Sequence, residues 1–161
     1  MNGLFYIASA IAMVATFRAI TGANAVHSLL YLTVSFLASA AIFYSLGAHY
    51  IAALEAIIYA GAIMVLFLFV VMMLSYGPGQ EMEEKRITRP GTWAGPAVLT
   101  TILLVLLVYV LTDKDLAPEN GIAHGPKAVG IALFGPYLIG VELASVLLLV
   151  GLLGAYHIGR K

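Results

Sequence analysis

The sequence predicts an all-α polytopic membrane protein with five transmembrane helices, in a single domain over residues 1–161. Two observations carry this prediction. Of the 161 residues, 62% are apolar and only 10% are charged, whereas a soluble domain is about 25% charged; mean hydropathy is +1.01. The apolar residues also fall into five continuous runs, each close to the roughly 20 residues needed to cross ~30 Å of hydrocarbon. Continuous runs, rather than alternating ones, argue against a closed β-barrel. Lipid is therefore the solvent for most of the surface. The absence of cysteine excludes disulfides, thiolate metal sites and cysteine nucleophiles. A formal charge of zero gives no field directed at nucleic acid.

The first span covers about residues 2–20. It has no basic residue ahead of its apolar run, and Arg18 comes late, which is the wrong order for a cleaved signal peptide. Thr21-Gly22-Ala23-Asn24 is turn chemistry. The second span covers about 26–46 and the third about 50–75. Only Gly47-Ala48-His49 separates them, so they must form a tight antiparallel hairpin. Gly77-Pro78-Gly79 stops the third span. The fourth covers about 93–112 with Pro96 expected in its first turn, and the fifth covers 136–157 with Pro136 at its opening, where a missing N–H costs little. Lys127 to Gly135 is too short to span, and is expected as an interfacial segment or a short helix. Tyr76, Trp93, Tyr137 and Tyr156 lie near span ends, as interfacial aromatics should.

Five spans place the termini on opposite sides. Arg18, Lys85, Arg86, Arg89, Arg160 and Lys161 share one side, and Lys114 and Lys127 the other. The excess of basic residues puts the C-terminus in the cytoplasm and the N-terminus outside.

Six of the eight acids, Glu81, Glu83, Glu84, Asp113, Asp115 and Glu119, fall in long loops and read as solvated. Glu55 and Glu142 are embedded in spans, where an ionised side chain costs at least ~2.5–3.5 kcal/mol and normally faces protein or water. Each lies roughly 7–9 Å along its helix at 1.5 Å per residue, so both belong to the outer part of the bilayer. Each reads either as hydrogen-bonded glue between helices or as a proton-exchanging group. Glu55 and Tyr59 share a helical face, and Ala52, Ala56 and Ala60 repeat at the small-residue spacing that admits a second helix. Gly61 reads as a close-packing residue or as a place where the helix rewinds. His27, His49, His124 and His157 lack the spacing of a helical metal site. Haem ligation by His27 with His157 is conceivable, but ordinary interfacial histidines are the preferred reading. No nucleotide-binding or hydrolytic motif is present, so no catalytic, cofactor or metal residue is assigned.

The run EAIIYAGAIMVLFLFVVMML, Glu55 to Leu74, closely resembles the third transmembrane helix of the J-subunit family of bacterial proton-pumping NADH:quinone oxidoreductase, respiratory complex I. The mitochondrial counterpart of that family is NADH dehydrogenase subunit six. Asn24 to Leu32 resembles the start of the family's second helix, while Lys127 to Tyr137 and Val141 to Ser145 resemble the approach to its fifth. The similarity runs along nearly the whole chain.

The resemblance implies a subunit without a redox centre, so that NADH, FMN, iron–sulfur clusters and quinone belong to other subunits. It implies packing against the K, A and H subunits and the antiporter-like subunits in the membrane arm. It also implies a third helix that can hold a π-bulge around Tyr59 to Met64, whose loss rotates the following half-helix and opens or closes a water path. On this reading Tyr59, Ala60, Gly61 and Met64 form a coupling hinge. Tyr59 would satisfy a backbone group freed by the bulge, and Gly61 would permit the altered dihedrals. Ala52 and Ala56 would leave room for the turn, with Glu55 and Glu142 supplying polar contacts or protons beside it. The competing readings are a membrane subunit of a multi-subunit cation/proton antiporter, and a standalone transporter or passive assembly scaffold.

Overall fold

A computed structural model describes residues 3–22, 24–74, 90–112 and 125–160. The described residues are helical, with no strand among them. They fall into two compact units, one ending at Ala123 and one beginning at His124.

In the first unit, α1 (Gly3–Thr21) and α2 (Ala25–Ser45) pack side by side. Leu4, Ala8, Ile11 and Ala15 recur every three or four positions, so α1 buries a single stripe. That stripe meets Val34, Ala38 and Ala41 of α2, with Leu103 closing the cluster. Most of these side chains are small. In lipid, where burial of apolar surface drives little, small residues let backbones approach and maximise dispersion contact. A polar link reinforces the pair: Thr16 Oγ1 and Ser35 Oγ are 2.7 Å apart, and Ser35 Oγ also lies 3.4 Å from the carbonyl of Ala12. Asn24 caps α2, its side-chain oxygen accepting from the His27 N–H at 3.2 Å.

The expected tight hairpin follows α2. Gly47 adopts φ 82°, the left-handed region that favours glycine. The Ala48 N–H donates to the Phe43 carbonyl and the Gly47 N–H to the Tyr44 carbonyl, both at 3.0 Å. This pair of bonds is a Schellman stop, which satisfies the helix's last carbonyls and reverses the chain.

The third helix then runs as α3 (His49–Leu54), a π segment (Glu55–Ile63) and α4 (Met64–Leu74). The expected end at Ser75 and the stop at Gly77 to Gly79 lie outside the described residues, as do Tyr76, the six loop acids, Lys85, Arg86, Arg89, Lys114, Lys161 and His124.

Helix α5 (Pro90–Thr112) starts three residues before the expected Trp93. This corrects the placement of Pro96, which sits inside the helix and is buried rather than lying in its first turn. Pro90 takes the opening position instead, where a missing N–H goes unnoticed. Tyr31 of α2 packs against the backbone at Gly95, leaving no room there for a Cβ.

The second unit holds α6 (Pro126–Leu133) and α7 (Leu138–Gly159). The short segment before the last span is thus a helix. Pro136 does not open α7, because Phe134 to Tyr137 form a turn and the helix starts at Leu138. The turn is held by the Tyr137 N–H to the Ala132 carbonyl and the Leu138 N–H to the Gly135 carbonyl, both at 3.2 Å. A Cβ on Gly135 would lie 2.7 Å from the Ile131 carbonyl oxygen, so this turn requires glycine.

Four helical stretches are long and apolar enough to cross a membrane: Gly3–Thr21, Ala25–Ser45, His49–Met73 and Leu138–Gly159. The apolar part of α5 is shorter, Trp93–Tyr109. Helix α7 buries none of its side chains within its own unit and is apolar over most of its surface, with Glu142 the one acid on it.

Candidate functional site

The centre of the third helix departs from α winding. From Glu55 to Ile63 it is a π-helix, and at its end the Met64 N–H donates to the Tyr59 carbonyl five residues back as well as to Gly61. At its start the Glu55 N–H reaches Ala52 and Ile51, still in tight α-type register. The flanking residues Leu54 and Met64 keep ordinary right-handed dihedrals, so the extra width is spread over several residues. π geometry is rare and is found preferentially at functional sites.

The side chains on this segment are unevenly held. None of its nine residues is buried, whereas Ala52 just before it and Met64 just after it are. Met64 is only 4% exposed and pins the start of α4 inward. Tyr59 is half exposed, its ring tilted against Phe36 of α2 with centroids 5.4 Å apart. Its hydroxyl has no hydrogen-bond partner among the described residues. At Gly61 a Cβ would touch only the Ala56 carbonyl, at 3.4 Å. Among the described residues of this unit, no other helix packs on this glycine closely enough to need its lack of a side chain. Ala52 and Ala56 line a cleft with Ala53, but Ala60 does not.

Glu55 is half buried at the first position of the π segment, and its carboxylate has no partner among the described residues. Glu142 lies in the second unit, exposed on α7; its backbone carbonyl accepts from Ser145 Oγ at 2.7 Å.

A family model described as NADH-ubiquinone/plastoquinone oxidoreductase chain 6 matches residues 8–158. The chain belongs to this family. Among its relatives, the NADH-quinone oxidoreductase subunit J of Escherichia coli is 52% identical over 161 residues, covering all of this chain and 88% of the relative. The proteins of the same name from Pseudomonas aeruginosa and from Buchnera aphidicola of Acyrthosiphon pisum are 52% and 47% identical, covering all of this chain and 98% and 95% of theirs.

One further residue of this chain 6 family member stands out. His27 is buried, and neither ring nitrogen has a hydrogen-bond partner among the described residues. Its ring meets Trp93 of α5 edge-on, with centroids 6.2 Å apart. Sequence reasoning set it among interfacial histidines. Its spacing was the missed signal, since Ser35 and Ala38, eight and eleven residues on, share its inward face. Among the described residues no group of three or more His, Asp or Glu is arranged to hold a metal ion.

Proposed function

We propose that this chain is a membrane-arm subunit of a proton-translocating NADH:quinone oxidoreductase. It helps couple quinone reduction to proton translocation through a third helix that switches its winding. The observation that carries the coupling role is the π segment Glu55–Ile63. Membership of the complex is supported by full-length relatives named as its subunit J.

In this proposal the chain crosses a bacterial inner membrane five times as one membrane domain, N-terminus outside and C-terminus in the cytoplasm. It packs with the K, A, H and antiporter-like subunits. Electron carriers and quinone stay on those and other subunits, and this chain has no catalytic centre of its own. Tyr59, Ala60, Gly61 and Met64 form the hinge. Return to α winding over the segment takes one residue out of the turn. It rotates everything after it by about 100° and draws it along by about 1.5 Å. Such a rotation re-aims the face of α4 and makes or breaks a water path beside it. Glu55 and Glu142 supply polar contacts or protons along that path.

Gly61→Leu tests the hinge. The site has open space beyond its contact with Ala56, so the complex should still assemble. Coupled quinone reduction and proton pumping in inverted vesicles should both fall. Wild-type pumping by this variant would rule out the hinge.

A further inference from the structure

We propose that the first turns of α5, Pro90 to Gly95, form a flap that latches over His27 and swings away from it about Pro96. The flap is separate from the winding change in the third helix and does not depend on it. The latch is the ring contact between α2 and α5, His27 edge-on to Trp93. Beneath it the imidazole is only 7% exposed. Its two nitrogens are closed to solvent and have no hydrogen-bond partner among the described residues.

Such a latch is poised to release. A neutral imidazole carries one N–H donor and one acceptor nitrogen. Water satisfies both, and the closed flap satisfies neither. Burying polar groups without partners costs free energy, which offsets the gain from the aromatic edge contact. Phenylalanine would make the same ring contact without that cost, so packing alone does not call for histidine here. In the closed form no water or other small polar molecule can touch either nitrogen, because neither presents any surface to it. His27 gains a polar partner only once the flap has moved. Trp93 is already 46% exposed, so its departure uncovers little further apolar surface of its own.

The backbone supplies the pivot. Pro96 lies inside α5 and has no N–H to donate to the carbonyl of Thr92, four residues back. The flap is therefore tied to the rest of α5 by one bond fewer than a regular helix has, and sharp helix bends occur at such prolines. Beyond the pivot, Leu103 is buried in the core with α1 and α2, and Leu99 packs against that core, so the shaft of α5 is held still. Before it, Gly95 rests on Tyr31, one turn along α2 from His27. A glycine seat lifts off without drawing a side chain out of a pocket. Opened, the flap leaves an imidazole near the start of α2 that water and small polar groups can reach.

The test treats the intact complex with diethyl pyrocarbonate, which acylates accessible imidazole nitrogens, and follows each modified histidine over time by mass spectrometry. Wild-type His27 should react slowly, through the open flap. Pro96→Ala restores the bond to the Thr92 carbonyl without altering His27 or Trp93. In that variant the reaction at His27 should slow about tenfold, equivalent to ~1.4 kcal/mol, while other histidines keep their rates. Trp93→Leu removes the ring contact and should speed it by a similar factor; this variant decides the matter if Pro96→Ala does not assemble. A wild-type His27 that never reacts while exposed histidines elsewhere in the complex do overturns the proposal. So does a rate at His27 that either assembled variant leaves unchanged, since the reagent would then reach the ring by another route.

Discussion

Deleting Ala62 separates winding from everything else the third helix does. The π segment holds one more residue than α winding needs between Leu54 and Met64. When the wild-type chain rewinds, Met64 must swing by about 100°, out of a site where it is 4% exposed. Losing a buried methionine's packing costs about 2–5 kcal/mol. At the lower end of that range the α-wound form is a minor state, roughly 0.1–10% of molecules, populated enough to be drawn on in each turnover. Removing Ala62, an exposed residue within the segment, takes out the surplus residue. The helix then runs α throughout while Met64 and the rest of α4 keep their present directions. Packing is preserved and the alternative winding is gone. In inverted vesicles, electron transfer from NADH to an artificial acceptor should match wild type, because it needs only assembly. Quinone-coupled proton pumping, followed by quenching of a pH-sensitive dye, should drop by about tenfold or more, a loss above ~1.4 kcal/mol. Normal pumping by the deletion variant would refute the reasoning, since a helix with no surplus residue cannot switch.

Three further outcomes follow from the packing. Gly95→Ala forces a methyl group against Tyr31 and should lower the complex's thermal midpoint by the equivalent of about 1–3 kcal/mol; adding Tyr31→Phe should recover only part of this, as the ring carbon Cζ remains 3.1 Å from the new atom. His27→Phe keeps the edge contact with Trp93 and removes two unpartnered buried nitrogens, so resistance to heat should hold or rise by about 1 kcal/mol; a marked loss would reveal a polar partner in the assembled complex. Gly47→Ala puts a side chain at φ 82° and should cost about 1 kcal/mol, read as a lower midpoint with unchanged pumping per assembled complex.

Four of the expected spans were legible because lipid solvates them one residue at a time. The first is Gly3–Thr21 against an expected 2–20, and the second Ala25–Ser45 against 26–46. The hairpin at Gly47 could be read from its length alone. The prolines misled because Pro suits several positions near a helix start. Pro90, Pro96 and Pro136 looked equivalent, and only the surrounding turns decide that Pro90 opens α5 and that Pro136 belongs to a turn. Within EAIIYAGAI only Gly61 hinted at rewinding, and the stretch otherwise suits an α-helix equally well. The π winding was anticipated from family resemblance around Tyr59 to Met64, and it covers Glu55–Ile63. The cleft depends on which alanines face one another across two helices, a matter of tertiary packing that the repeat of Ala52, Ala56 and Ala60 only hinted at.

The Schellman stop at Gly47 bears on how torque travels. It clamps the third helix to α2 at one end by backbone bonds that no side chain can loosen. A shaft gripped at one end and slack in the middle delivers all its twist to the free end. Motion should therefore be confined to Met64 and beyond, and a spectroscopic label at Tyr50 should report stillness while one at Met73 reports movement.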